Sequence, residues 1–222
     1  MTTHASAPGS VSLPAPETPA AGPTEALRAA ILRLSAEQHV DRLSVAQISA
    51  AADIHRVAFY DHARSPSALL ARVVRDELDA VRAEYLASTY INDHSLAEAI
   101  RHTCMAIATL VDSHSAIFEH LLAEHSRTTA HDLLAPHFEA SVIALIADHE
   151  RGRVNIGPGH SDLARSDLAR SALARYVAYG SVGAIEVWFA AETATRSATG
   201  AGRDPETYYA LIEPLLPRWL VG

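Results

Sequence analysis

Residues 54–70, IHRVAFYDHARSPSALL, carry Arg56, Tyr60 and His62 within seven positions. An arginine guanidinium can hydrogen-bond the O6 and N7 atoms of guanine as a pair, and tyrosine and histidine side chains can donate to phosphate oxygens. A serine and a proline that favour the start of a helix follow directly. The stretch therefore has two interpretations, a nucleic-acid contact or a polar turn between two helices.

The charge of the chain does not indicate a strongly basic surface. The formal net charge is −8, and all 18 basic residues are arginine. Residues 24–86 contain eight arginines against nine aspartates and glutamates, a net charge of −1, while residues 1–23 add −1 and residues 87–222 add −6. Proteins that read DNA usually carry a basic patch. We therefore expect few ion pairs with phosphate, and a shallow dependence of DNA affinity on salt concentration.

Composition and periodicity predict an all-α fold with about nine or ten helices. Apolar residues make up 49% of the chain and aromatic residues only 6%, and the large share of alanine favours helices over strands. No segment alternates convincingly between apolar and polar residues, as a strand would. Residues 1–23, rich in Pro, Ala and Thr without periodicity, are predicted to form a disordered arm.

Capping signals place the first helices. Thr24 is the predicted N-cap of the first helix, and Ser44 with Gln47 has the spacing of a capping box at the start of the second. A third, short helix is predicted from about residue 55 to residue 60. Ser65 should then cap a long helix.

The remainder continues as helices separated by short loops. Ser95 and Glu98 again have the spacing of a capping box. The last helix is predicted to run from Asp204 to about Trp219. Pro214 and Pro217 lie inside that apolar pattern and should bend or fray it.

The order of the first helices predicts a helix-turn-helix. A capped short helix, a tight turn and a second short helix lie between a first helix and a long fourth one. In such a unit the second short helix, which begins near Arg56, enters the major groove of DNA. Residues 24–86 are therefore the predicted DNA-binding domain, and residues 87–222 form the rest of the protein.

Residues 43–74 resemble the DNA-binding domain of the TetR family of bacterial transcriptional repressors. The resemblance rests on a polar–apolar pair opening the second helix, an Ile, an Ala pair and a second Ile around the turn, an aromatic-Tyr-x-His group, and a Leu pair. These are Ser44, Val45, Ile48, Ala51, Ala52, Ile54, Phe59, Tyr60, His62, Leu69 and Leu70. The resemblance implies a double-stranded, palindromic DNA operator as partner, contacted by Ser44, Val45, His55, Arg56, Val57, Tyr60 and His62.

Three positions depart from the family pattern. Asp53 stands where glycine is usual, although aspartate is among the few residues that tolerate a left-handed backbone. Ala63 replaces an aromatic residue that would pack under the recognition helix. Pro66 replaces a lysine that often meets phosphate in the family. Together the three departures predict a weaker DNA-binding unit.

For residues 87–222 the resemblance implies a small-molecule effector and a homodimer. The last two long helices are expected to pair with those of a second copy, through Val187, Tyr208, Ile212, Leu215 and Trp219. The helices between about residues 95 and 190 are expected to enclose an effector pocket lined by His102, Met105, Phe118, Phe138, Tyr179 and Trp188. Each of these side chains could instead belong to the ordinary hydrophobic core.

No motif indicates an enzyme, a cofactor or a metal. No two of the 13 histidines lie three or four positions apart, the spacing that puts two ligands on one helix face. A nucleophile elbow, a phosphate-binding loop and a dinucleotide glycine motif are all missing.

The single cysteine, Cys104, fits a small core residue in a reducing compartment. No apolar run approaches the roughly 20 residues of a membrane span, so we expect no membrane partner and a cytoplasmic location.

The leading hypothesis is a homodimeric, ligand-responsive repressor that a small molecule releases from its operator. The alternative is an all-α small-molecule-binding or sensor protein whose DNA-binding unit is weakened.

Overall fold

The structure, a computed structural model, describes residues 22–92, 96–122, 129–150, 166–199 and 203–218. In these ranges the chain forms nine α-helices and no strand, which confirms the all-α prediction. The predicted arm lies outside the described residues except for Gly22 and Pro23, and so does the predicted cap Ser95. The helices are α1 Pro23–Glu37, α2 Val45–Ala51, α3 Arg56–His62, α4 Pro66–Asn92, α5 Leu96–Ser113, α6 Ser115–Leu121, α7 Ala130–Glu150, α8 Asp167–Thr199 and α9 Pro205–Ile212.

The first helix begins one position before the predicted cap. Gly22 is the N-cap of α1, and its carbonyl accepts hydrogen bonds from the amides of Glu25 and Ala26 at 2.9 and 3.0 Å. Pro23 suits the first helical position because its fixed φ is already helical and its missing N–H would have no partner there. The prediction of Thr24 as the N-cap is therefore wrong.

The capping box at the start of α2 is confirmed. The Ser44 Oγ accepts from the amide of Gln47 at 3.2 Å, and the Gln47 Oε1 accepts from the amide of Ser44 at 2.9 Å. Asp53, in the turn between α2 and α3, has φ 53°, so it adopts the left-handed conformation that a glycine would adopt at no cost. This turn fixes the direction in which α3 leaves α2.

A serine cap and a proline also start the long helix α4. The Ser65 Oγ accepts from the amide of Ala68 at 3.1 Å, as predicted, and Pro66 occupies the first helical position. The 27 residues of α4 connect the head, defined here as α1 to α3, with the body, defined as α5 to α9.

One buried apolar cluster runs from the head into the body. It includes Leu27 of α1, Phe59 of α3, Leu70 of α4 and Phe118 of α6, and it continues to Trp188 of α8. In the body, α7 packs along α8 and α5 packs on α9. Because the head shares its core with α4 and α6, its position relative to the body is set by side-chain packing.

The last helix is shorter than predicted. The Asp204 carboxylate caps α9 by accepting from the amides of Glu206 and Thr207 at 3.1 and 3.3 Å. The α-helix ends at Ile212, and residues 213–215 form a 3₁₀ turn. Pro214 has no N–H to continue the α-helical pattern, so the predicted extension to about Trp219 is wrong.

Arg203 joins three parts of the body. Its side chain is fully buried, and its Nη1 donates to the Asp112 carboxylate on α5 at 2.9 Å. Its Nε donates to the carbonyl of Phe189 on α8 at 3.3 Å, and the guanidinium carbon lies 3.5 Å from the centre of the Phe189 ring. The segment that leads into α9 is therefore held against α5 and α8 by a buried, paired cation.

Candidate nucleic-acid interface and ligand cavity

The outer face of α3 combines exposed polar and apolar side chains. His55 and Arg56 are exposed, Val57 is 79% exposed, and Tyr60 is 61% exposed. Phe59, between them in sequence, is fully buried and anchors the helix in the core of the head. The helical period explains this division, since positions 56, 57 and 60 share one face while 59 lies on another.

The Tyr60 ring is held in place on this face. It packs edge-on against the ring of Phe59, with 5.7 Å between the ring centres and an angle of 87° between the planes. Edge-to-face packing is a favoured geometry for aromatic pairs. The contact with Phe59 supports the Tyr60 ring on this face, while the side chain remains 61% exposed.

The remaining predicted contact residues are less available. The Ser44 hydroxyl takes part in the capping box, and Val45 is half-buried against the core. His62 is half-buried, and its carbonyl accepts from Arg72 on α4 at 2.6 Å. His62 thus closes α3 onto α4 through its backbone.

The arginines of the head and of α4 divide into engaged and free groups. Arg28 binds Glu77 and Arg33 faces Glu37, while Arg72 and Arg82 also have partners: the His62 carbonyl and Asp79. Over the ranges that the structure describes, no ion pair involves Arg42, Arg56 or Arg64, all of which are exposed. These free cations lie beside the ends of α2 and α3, where phosphates could reach them.

Glu77 of α4 joins the head to the body. One carboxylate oxygen accepts from Arg28 of α1, and the other lies 2.7 Å from the Nε2 atom of His114, which precedes α6. Glu77 is largely buried. A largely buried carboxylate is destabilising when it loses its partners. This contact therefore resists independent movement of α1 and α6.

A cavity of about 140 Å³ lies between α4, α5, α7, α8 and α9. Most side chains around it are apolar, and it is lined by Arg82, Ile100, Thr103, Cys104, Ile107, His137, Phe138, Ser141, Val142, Ala144, Leu145, Asp148, Val177, Ser181, Tyr208 and Leu216. Burial raises the pKa of Cys104 to about 12, so the thiol in the wall stays protonated and unreactive. The cavity can therefore hold an apolar molecule without covalent attachment.

Three polar residues of the cavity wall, Arg82, His137 and Ser141, form a connected cluster with Asp79. Arg82 donates to Asp79 at 2.8 Å and to the Ser141 Oγ at 3.2 Å. The Ser141 hydroxyl donates to the carbonyl of His137 at 2.8 Å, and the His137 ring lies 3.1 Å from Asp79. His137 is only 4% exposed, and its burial, with the nearby positive charge of Arg82, lowers its pKa. The imidazole is therefore uncharged near neutral pH.

One of the six predicted pocket residues, Phe138, lines this cavity. Met105 packs against the core beside it, and Phe118 and Trp188 are buried, with the Trp188 indole donating to the Asp204 carbonyl at 3.0 Å. His102 and Tyr179 are exposed. The polar residues Arg82, His137 and Ser141 were not predicted; the available signal was the imidazole of His137 inside α7, which is largely apolar.

The predicted interface residues fall into three groups. Val187 and Leu215 are 60% and 58% exposed, so they can meet a partner. Tyr208 and Ile212 point into the protomer instead, because α9 packs its apolar side on α5 and α8, and Tyr208 lines the cavity. Trp219 lies outside the described residues.

An exposed apolar face follows α8, and we call it the α8 face. It consists of Leu168, Tyr176, Tyr179, Gly180, Gly183 and Val187. The Tyr179 ring stacks on the ring of His131, with 5.2 Å between centres. A side-chain carbon added at Gly180 or Gly183 would have no neighbour within 4 Å, so packing inside the protomer does not require glycine at either position.

The described ranges contain no group of three or more His, Cys, Asp or Glu side chains placed to hold a metal ion. None of their helices combines the length and the apolar character that a membrane crossing needs.

Comparison with known proteins reveals similarity at the level of structure. No protein-family profile and no curated protein sequence matches the chain. The chain is similar to the fatty acid degradation regulator FadR from Bacillus halodurans, with a TM-score of 0.52, 11% sequence identity, and coverage of 91% of this chain and 96% of that chain. It is similar to the dihydroxyacetone kinase operon activator DhaS, with a TM-score of 0.50, 16% identity, and coverage of 87% and 94%.

A third similar structure is that of a transcription regulator assigned to the TetR family, from Shewanella sp. PV-4, with a TM-score of 0.49, 15% identity, and coverage of 86% and 96%. At the identities of FadR and DhaS, the likeness shows that this chain shares their fold.

Proposed function

We propose that this protein is a homodimeric, ligand-responsive DNA-binding transcription regulator that represses by occupying a palindromic operator. The observation that carries the proposal is the outer face of α3, where Arg56, Val57 and Tyr60 project from a helix anchored by Phe59. Arg56 can read guanine in the major groove, and Tyr60 can donate to a backbone phosphate. The similar proteins FadR and DhaS carry names that describe a regulator and an operon activator, which supports the same class of function.

The dimer is proposed to form through the α8 face. Five large apolar residues of α8 and the 3₁₀ turn are exposed: Leu168, Tyr176, Tyr179, Val187 and Leu215. Exposed apolar residues that form a continuous patch often mark protein–protein contacts. A glycine within a helix costs about 1 kcal/mol relative to alanine, and close approach of a partner helix would offset that cost at Gly180 and Gly183. Two copies would then place two α3 helices roughly 34 Å apart, one turn of DNA.

Ligand response would travel along α4. Arg82, in the cavity wall, lies on the same helix as Glu77, which holds α1 and the segment before α6. A ligand that favours one position of α4 would favour one spacing of the two heads. The shift can be no larger than the difference in ligand affinity between the two states.

The direct test measures binding of the full chain to the DNA upstream of its own gene by fluorescence anisotropy. Arg56→Ala should weaken specific binding by about 1–3 kcal/mol. Arg33→Ala is the matched control, because Arg33 is exposed on α1 and faces Glu37; its affinity should stay near wild type. Equal affinity of wild type and Arg56→Ala would remove Arg56 from the DNA contact.

The same assay at several salt concentrations tests the charge argument. With few free arginines on each head, log–log plots of affinity against salt should have a slope shallower than about −8 for the dimer. A steeper slope would mean that cations outside the outer face of α3 contribute most of the binding.

The alternative function is that of an all-α small-molecule sensor with a weakened DNA-binding unit. The net charge of −1 over residues 24–86 favours it, as do the engaged arginines of the head and α4. A protein that binds small molecules in the cavity but gives no DNA complex at low salt would establish this alternative.

A further inference from the structure

The charges around the cavity restrict the kind of ligand that it can hold. The cation in the described wall, Arg82, already has a carboxylate partner, because it donates to Asp79 at 2.8 Å. The carboxylate in the wall, Asp148, is engaged in a polar interaction of its own. His137 is buried between Asp79 and Ser141, and burial lowers its pKa, so it adds no positive charge near neutral pH. Among the wall residues that the structure describes, an anionic ligand would therefore find no unpaired cation.

Hydrogen-bonding capacity remains at this end of the cavity. The guanidinium of Arg82 has five N–H groups, and two of them donate to Asp79 and Ser141. The Ser141 hydroxyl donates to the His137 carbonyl, and its oxygen accepts from Arg82. The His137 Nε2 atom lies 3.4 Å from the same oxygen. With the imidazole proton on Nδ1, which faces Asp79 at 3.1 Å, Nε2 has no proton to donate, so one lone pair of Ser141 remains. A ligand hydroxyl group complements an Arg82 N–H and the Ser141 lone pair. Its single oxygen can accept a hydrogen bond from Arg82 and donate one to the Ser141 Oγ.

The rest of the wall favours an apolar body of limited size. Ile107, Phe138, Val142, Leu145 and Val177 surround the space. The volume of about 140 Å³ is close to that of an apolar cavity known to take up benzene, so a body of about six to ten non-hydrogen atoms fits.

We propose that the effector is a small uncharged aromatic or branched alcohol or phenol, with its hydroxyl between Arg82 and Ser141 and its apolar part toward Phe138 and Val177. The inference deepens the proposed function, because it names the ligand class of the cavity through which the regulator responds.

A panel of compounds of similar size and different charge tests the ligand class. The full chain is titrated at pH 7.5 with benzyl alcohol, benzoate, benzylamine and toluene, by calorimetry and by thermal shift. Benzyl alcohol should bind at least tenfold more tightly than benzoate or benzylamine. Tighter binding of either charged compound overturns the proposal, and so does a failure of benzyl alcohol to bind at all.

Two variants show whether binding occurs in this cavity. Ser141→Ala should weaken benzyl alcohol binding about fivefold and leave toluene binding unchanged, because only the alcohol uses the hydroxyl contact. Ala144→Phe places a ring in the wall from an exposed position of α7 and should abolish both. Val177→Phe is a second filling variant from α8, should the first not fold. Unchanged alcohol binding in Ser141→Ala overturns the placement of the hydroxyl.

The outcome is separable from that of the DNA-binding test. Ligand binding is measured without DNA, and operator binding is measured without ligand. A chain that binds benzyl alcohol and no DNA would refute the regulator and leave the ligand class standing. A chain that binds its operator but prefers benzoate would refute the ligand class and leave the regulator standing.

Discussion

Exposed arginines around α2 and α3 contrast with one buried arginine of the body. Arg42, Arg56 and Arg64 are exposed, and no ion pair engages them in the described part of the chain. In the body, Arg203 is buried on the ring of Phe189 and paired with Asp112. A cation that is exposed and unpaired is available to a partner, whereas a buried, paired one holds helices together. The comparison therefore separates arginines that are available to a partner from one that holds helices together.

The largest expected effect comes from the buried arginine. Arg203→Ala should lower the free energy of unfolding by about 3–5 kcal/mol, because it removes the buried cation that pairs with Asp112 and opens a space beside Phe189. Urea denaturation followed by circular dichroism measures the loss. Arg175→Ala is the control, since Arg175 is exposed and lies 3.6 Å from Glu139; it should change stability by less than about 1 kcal/mol. Similar losses of unfolding free energy in the two variants would contradict the distinction between buried and exposed arginines.

The contact between head and body should give the next largest effect. Glu77→Gln removes the charge that Arg28 and His114 share, and should lower the free energy of unfolding by about 1–3 kcal/mol. It should also reduce the factor by which a cavity ligand changes operator affinity. Glu84→Gln, at an exposed position of the same helix, is the control. Intact ligand response in Glu77→Gln would mean that the signal reaches the head by another route.

The turn between α2 and α3 should respond moderately. Asp53→Val forces a β-branched residue into the left-handed conformation and should cost about 1–2 kcal/mol. Asp53→Gly removes the strain and should raise the melting temperature slightly. It also removes a negative charge beside the outer face of α3, so operator affinity should rise. If Asp53→Val melts like the wild type, the left-handed turn does not persist in solution.

The smallest effect is the pH dependence of the body. Because the folded pKa of His137 lies below the unfolded value of 6.5, the unfolded state binds more protons as the pH falls below 6.5. Above pH 6.5, His137 therefore adds no pH dependence to the free energy of unfolding. Below pH 6.5, it lowers the free energy of unfolding as the solution becomes more acidic. His137→Gln should lose less stability than the wild type between pH 7.5 and pH 5.5, measured by urea denaturation. Equal losses would show that other groups dominate the acid response.

The head could be predicted from sequence because its determinants are local. The capping box of Ser44 and Gln47, the serine that caps α4 and the turn at Asp53 each involve residues a few positions apart. The prediction of Thr24 as the N-cap was wrong because Pro23, one position earlier, begins the helix and Gly22 caps it.

The cavity could not be predicted in the same way. The contact between Arg82 and Ser141 joins residues 59 positions apart, and the helical period does not say which helices meet. Tyr208 and Leu215 look alike as apolar residues near the end of the chain, yet one is buried and the other exposed. The difference arises because α9 packs on α5 and because Pro214 ends the α-helical pattern before Leu215.

The length of α4 has a mechanical consequence. From Arg82 to Pro66 the helix rises by about 24 Å, at 1.5 Å per residue. A tilt of about 5° about its cavity end would thus swing its first turn sideways by about 2 Å. In a symmetric pair the two displacements would add, so a molecule no larger than a single ring could move two recognition helices out of step with the pitch of the duplex.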